Sequence, residues 1–310
     1  MTTSLPPAIE IQGLTKRYGD RVAVDQLSVQ IPRGAVAGFI GPNGAGKTTT
    51  MAMLLGLVRP TSGDGTVLGE PIRRPERYVG RVGALLEAPS LWPALNSFEN
   101  LRVLARLGGH DERRIPEVLD LVGLRARGGD RFGRYSLGMK QRLGIAAGLL
   151  GDPELLILDE PTNGLDPAGM SDMRDLIARI AADGRTVLVS SHLLSELEQI
   201  CDWLMIIEAG RLVYAGEAAA FGAHTGNEIL LGPAEPADLL ALADVVAAAG
   251  HEAGSAGEHL VVPINGTDPR VVAASLNSAA AAAGIVLAEL HVRRPTLESV
   301  YLRMFEGEVA

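Results

Sequence analysis

Ala35-Val36-Ala37-Gly38-Phe39-Ile40 runs straight into Gly41-Pro42-Asn43-Gly44-Ala45-Gly46-Lys47-Thr48. The first six residues form a continuous apolar run, as expected of a strand buried on both faces of a parallel sheet. The next eight fit the phosphate-binding loop pattern in full, and a helical stretch continues to about Leu57. Glycines let such a loop curl until successive backbone N–H groups point inward as an anion cradle. The helix that follows places its positive N-terminal end beneath the same anion. In this geometry Gly41, Asn43, Gly44, Ala45, Gly46, Lys47, Thr48 and Thr49 are expected around a nucleotide polyphosphate. Lys47 would reach the β- and γ-phosphates, and the Thr48 hydroxyl would ligate Mg2+.

Such a loop needs a buried strand that ends in a carboxylate. Leu155-Leu156-Ile157-Leu158-Asp159-Glu160 supplies it. Asp159 emerges at the carboxyl end of the strand, where ligands sit in open α/β sheets, and is expected to hold Mg2+. Glu160 is placed to orient and deprotonate an attacking water.

Working outward, strands are expected over Ala8–Leu14 and Val22–Ile31, then Val82–Leu86, Thr186–Ser190, Trp203–Ile207 and Leu212–Tyr214. Helices are expected from Ser97 to Leu107, Pro116–Leu121, Leu137–Leu150, Pro167–Ala181 and Leu193–Ile200. This alternation implies an α/β core with a mostly parallel sheet and a helical insert over about 88–150. A shift to Ala, Gly and Glu near Gly216–Gly226 divides the chain into domains at 1–216 and 217–310. The second reads as strand Glu228–Leu231, helix Pro236–Ala249, strand Leu260–Ile264, helix Pro269–Ala283 and strand Ile285–His291. It is a small α+β domain, ferredoxin-like if His251–Ala256 pairs as a weak strand.

Several functions are disfavoured by composition. A net charge of −9 over 310 residues argues against wholesale nucleic-acid binding. The single cysteine, Cys201, excludes an intrachain disulfide framework and reads as a small buried apolar residue. The longest apolar run, Ala279–Ala288, is shorter than the roughly 20 residues needed to cross a bilayer. Met1–Pro7 does not read as a signal peptide. The chain is therefore expected to be cytoplasmic, with any membrane part in another chain.

Over about Ile9–Gly216 the chain resembles the ATPase subunits of ABC transporters. Beyond the two motifs above, the likeness rests on Tyr135-Ser136-Leu137-Gly138-Met139-Lys140-Gln141-Arg142, similar to the family's signature motif. It rests also on Pro161-Thr162-Asn163-Gly164-Leu165-Asp166-Pro167, which matches its D-loop, and on Ser190-Ser191-His192, which matches its switch histidine. The resemblance implies a P-loop nucleotide-binding domain that includes an antiparallel β subdomain. It implies ATP as substrate and a head-to-tail dimer with a second copy of the chain. A separately encoded transmembrane permease would hold the dimer on the inner face of the membrane. It makes His192 a donor to the γ-phosphate, Tyr18 an adenine stack, and Asp166 a residue that orders the opposing site. Ser136 and the Gly138 N–H become a second anion site, closing on the partner's nucleotide.

Two departures carry information. Leu137 and Met139 stand where the common signature has Gly and Gln. In Leu85-Leu86-Glu87-Ala88-Pro89, Glu87 replaces the usual Gln near the nucleotide and Mg2+, as in exporters linked to bacitracin-type and peptide-antibiotic resistance. The run Arg294–Tyr301 resembles the closing helix of drug- and antibiotic-exporting members. A non-transport ATPase acting on ribosomes or DNA usually carries two such domains or long coiled coils, and neither is present. A catalytically weak ATP sensor is at odds with intact Lys47, Asp159, Glu160 and His192.

Overall fold

A computed structural model of the chain describes residues 6–87, 89–223, 227–264 and 268–293. The chain divides into two compact units, Met1–Ala218 and Ala219–Ala310. The first begins with β1 (Ile9–Tyr18), β2 (Arg21–Ile31), β3 (Val36–Ile40) and α1 (Lys47–Leu54). Next come β4 (Ser62–Val67), β5 (Glu70–Pro71), β6 (Val82–Leu85), α2 (Ser97–Gly108), α3 (Arg114–Leu121) and α4 (Leu137–Leu149). It closes with β7 (Leu155–Leu158), α5 (Pro167–Ala182), β8 (Thr186–Ser191), α6 (Leu194–Leu197), β9 (Trp203–Glu208) and β10 (Arg211–Glu217). A short helix, α7 (Ala218–Ala223), spans the division.

The core sheet has the order β10-β9-β3-β8-β7-β6. All its pairings are parallel except that of β10, an antiparallel edge. Its central strands are apolar on both faces: every residue of β3 and β7 is buried. An antiparallel sheet, β2-β1-β4-β5, forms the expected β subdomain, and its inward residues join those of the core sheet in one apolar cluster.

The strand Ser62–Val67 was not anticipated, because Ser-Gly-Asp-Gly has the composition of a turn. Close backbone approach is the reason for those glycines. A Cβ on Gly63 would lie 2.2 Å from the Gly13 carbonyl oxygen, and one on Gly65 would lie 2.3 Å from that of Glu10.

α2 starts at Ser97, as expected. The cap of α2 is Asn96, whose side chain accepts from the Glu99 N–H while Glu99 accepts from the Asn96 N–H. Ser97, expected to start the helix, is buried at its first position with its hydroxyl bonded to that of Tyr135 (2.6 Å). The helix expected over Leu193–Ile200 contracts to the four residues of α6.

The second unit holds β11 (Asn227–Pro233), α8 (Leu239–Ala248), β12 (Gly254–Ala256), β13 (His259–Ile264), α9 (Pro269–Ala282) and β14 (Leu287–Arg293). Its sheet order, β12-β13-β11-β14, is antiparallel throughout, as in ferredoxin-like βαββαβ units. The weak strand does pair, over three residues only. Ile229, Leu231, Val262, Val246 and Leu276 belong to a separate core. Arg294–Tyr301 lies outside the described residues.

Tyr78 anchors the end of α1 in the first unit. It is fully buried, and its hydroxyl donates to the Leu54 carbonyl (2.9 Å). Burial pushes its pKa up to about 12 from 10.0, so the neutral form is favoured by folding. The corresponding stability is present below about pH 10 and is lost as pH rises toward 12. Tyr78→Phe should lower the unfolding free energy by about 1–2 kcal/mol, by leaving a buried carbonyl short of its donor. Urea unfolding checks this, and an unchanged midpoint would show that the bond contributes nothing net.

Candidate functional site

β3, β8, β7 and β6 are consecutive neighbours in the sheet, all parallel, and their registers bring their carboxyl ends side by side. Gly41–Thr48 follows β3, His192 follows β8, Asp159-Glu160 follows β7, and Glu87 lies two residues beyond β6. Four segments far apart in sequence thus meet along one sheet edge.

The loop after β3 is shaped by contacts that exclude side chains. A Cβ on Gly41 would lie 2.3 Å from the Ile207 carbonyl oxygen, and one on Gly46 would lie 2.4 Å from that of Ala23. Gly46 adopts φ 109° as the N-cap of α1. Ala45 is buried in the loop's framework, its N–H donating to the Pro42 carbonyl and its own carbonyl accepting from Gly210 N–H.

Lys47 is buried, with 6% of its surface exposed. Its Nζ donates to the Gly41 carbonyl (2.6 Å) and lies 3.1 Å from Glu160 Oε1. The other Glu160 oxygen, Oε2, is 2.8 Å from His192 Nδ1. One carboxylate therefore joins the loop lysine to the histidine after β8. Glu160 adopts φ 48°, a region non-glycine residues seldom occupy.

Asp159 is held from two sides. The Thr48 hydroxyl donates to Oδ2 (2.6 Å) and the Ser190 hydroxyl to Oδ1, while Ser190 Oγ also accepts from the Glu160 N–H (2.9 Å). Sequence reasoning gave Ser190 no part of its own. Its signal was only its place at the end of a buried strand next to His192.

A pocket of about 350 Å³ opens over this centre. Asn43, Gly44, Gly46, Lys47, Thr48, Thr49 and Glu160 line it, and Tyr18 stands at its edge, half exposed. Lys16 Nζ lies 4.9 Å from the Tyr18 ring centre. Arg21 and Ala23 also line the pocket, and neither was singled out by the sequence. Glu87 is exposed at φ 57° and makes no hydrogen bond or ion pair among the described residues.

Ser136 and Gly138 are not in that pocket. They line a second one, of about 570 Å³, between the start of α4 and the start of α5. Ser136 caps α4 by accepting from the Met139 N–H (3.3 Å). Asp166 caps α5 by accepting from the Gly169 N–H (2.8 Å). The departure at Leu137 has a packing role: its Cδ2 lies 3.0 Å from where a Cβ on Gly164 would be. Reciprocally, Leu165 Cδ2 lies 3.6 Å from the Cβ position of Gly138. Each leucine covers the glycine beside the other, so the two loops interlock within one chain.

Among the described residues no group of three or more His, Cys, Asp or Glu side chains is arranged to hold a metal.

The ABC transporter family description matches residues 24–163. The "Bacitracin transport ATP-binding protein" of Bacillus licheniformis is 48% identical over 208 residues, covering 66% of this chain and 68% of that one. The "Lantibiotic transport ATP-binding protein" of Streptococcus pyogenes is 41% identical over 209 residues, covering 67% and 90%. A solved ATP-binding subunit of an ABC transporter superposes with a TM-score of 0.62 at 31% identity, over 70% of this chain and 92% of that one. With the phosphate loop, the paired carboxylates and the histidine on one sheet edge, the chain belongs to the ATP-binding, ATP-hydrolysing subunits of ABC transporters.

Proposed function

We propose that this chain energises an exporter of a peptide antibiotic or related drug by hydrolysing ATP as a head-to-tail dimer beneath a separate permease. The observation that carries the chemistry is the joining of Lys47, Glu160 and His192 around one carboxylate, at the mouth of a glycine-shaped anion cradle.

The residues fit ATP with Mg2+. Thr48 and Asp159 present hard oxygens 2.6 Å apart, the donor chemistry Mg2+ takes alongside phosphate oxygens. Bound there, the cation would neutralise charge on the phosphates. Glu87 is a further oxygen donor proposed for the same ion. Lys47 binds the β- and γ-phosphates, while the loop N–H groups and α1 hold the chain of phosphates in line. Glu160 accepts the proton of the attacking water, held between Lys47 and His192 so that it need not search for its geometry. His192 orients that carboxylate through Nδ1 and donates to the γ-phosphate through Nε2. Tyr18 stacks on the adenine.

Dimerisation is supported by the separation of the two candidate anion sites. Ser136 and Gly138 occupy a different pocket from Lys47, so they are available to a nucleotide held by a second copy. No helix among the described residues is long and apolar enough to cross a membrane, and the transmembrane path is proposed to lie in another chain. The inner membrane face is the proposed location. The bacitracin and lantibiotic relatives support the substrate class. A net charge of −9 speaks against nucleic acid as partner. Residues 217–310 are assigned a docking or regulatory role.

Glu160→Gln keeps the shape of the side chain but removes the proton acceptor, so the closed state should accumulate. Light scattering should find monomer for the wild type with ADP and stable dimer for Glu160→Gln with ATP. Monomer under both conditions would overturn the composite site.

Glu87→Gln restores an N–H2 donor and removes a negative charge. ATP binding and hydrolysis by the purified chain should stay within about threefold of wild type, under 1 kcal/mol. Resistance of cells carrying the complete transporter should fall. If Glu87→Gln abolishes hydrolysis as Glu160→Gln does, Glu87 is catalytic and the coupling role is wrong.

A further inference from the structure

Arg21 sits on the first residue of β2, directly opposite Tyr18 in the β1–β2 ladder. The two strands are joined by Gly19-Asp20, with Gly19 at φ 58° in the first position of the turn, where tight hairpins favour glycine. Residues directly opposite in an antiparallel pair project to the same face. The hairpin tip therefore turns an aromatic ring and a guanidinium to one side, and both line the pocket above the phosphate loop. Arg21 Nη2 lies 3.8 Å from where a Cβ on Gly44 would be, so any side chain at position 44 would fill the gap between cation and loop.

Lys47 and Arg21 are the two cations lining this pocket. Lys47 is buried and engaged with the Gly41 carbonyl and Glu160. Arg21 is exposed and makes no hydrogen bond or ion pair among the described residues. A nucleoside diphosphate or triphosphate brings several negative charges into a pocket that already holds Glu160. The free cation lies on the Tyr18 side, where the base and the first phosphates would lie if Tyr18 stacks on adenine. A guanidinium suits phosphate oxygens by its planar fork of donors and its permanent charge.

We propose that Arg21 is a second phosphate-binding residue, gripping the base-proximal phosphates of ATP and ADP alike across Gly44 from the loop. The proposal rests on the nucleotide reading above and deepens it. Lys47 serves the end of the polyphosphate that is cleaved, whereas Arg21 serves the end that survives cleavage. It should retain ADP as firmly as it recruits ATP.

The test is fluorescence titration of the full chain with N-methylanthraniloyl ATP and ADP at two salt concentrations, for wild type, Arg21→Gln and Arg21→Lys. Arg21→Gln should weaken both nucleotides by about tenfold, as expected on losing one charge-assisted contact. Arg21→Lys should recover most of that loss, and the salt dependence of binding should be flatter for Arg21→Gln than for wild type. Unchanged affinity in Arg21→Gln would overturn the proposal. So would a salt dependence of binding in Arg21→Gln as steep as in wild type, which would make shape rather than charge the cause. Loss for ATP with ADP unaffected would overturn the placement on the base-proximal phosphates. A wild type that binds neither nucleotide would instead sink the functional reading on which the proposal stands.

Discussion

The Asp159 carboxylate, bonded to the Thr48 hydroxyl on one oxygen and the Ser190 hydroxyl on the other, is the tie on which the centre depends. It links the start of α1, the end of β7 and the end of β8 at a single buried group. A carboxylate that is 4% exposed would be costly without partners, and here both oxygens are satisfied. Ser190 extends the tie, because its oxygen also receives the Glu160 N–H. The backbone at Glu160 is thereby held in its left-handed conformation, and its carboxylate is delivered between Lys47 and His192. Displacing Asp159 would loosen the loop and the carboxylate together.

The parallel core was legible because its strands are pure apolar runs, Ala35–Ile40 and Leu155–Leu158, each ending in residues that do not belong in a core. Residue type and spacing pointed to Lys47, Thr48, Asp159 and Glu160, the family resemblance added His192, and the fold brings these five together. β4 escaped notice because its glycines answer to β1 across the sheet and not to their own neighbours. The start of α2 at Ser97 was legible, but its cap was not, because Asn96 and Ser97 are both good caps. What decides between them is the burial of Ser97 against Tyr135, a contact 38 residues away in sequence.

Arg21 and Ser190 show a different limit. Neither belongs to a pattern of its own, and each acquires a place only through strand register: Arg21 opposite Tyr18, Ser190 beside Asp159. The Leu137 departure is similar. As sequence it is a deviation at a signature position, and in three dimensions it is half of a reciprocal packing with Gly164 and Leu165. That packing sets the candidate second anion site against the segment leading from Glu160.

Hydrolysis is proposed to take place at the carboxyl ends of the core strands, where Lys47 bridges loop and carboxylate. ATP turnover by purified wild type and Lys47→Ala, with nucleotide affinity measured on the same samples, tests it most directly. Turnover should be lost and affinity lowered by at least about tenfold, since backbone donors remain but the lysine ammonium at the cleaved phosphates is gone. Near wild-type turnover in a folded Lys47→Ala protein would contradict it.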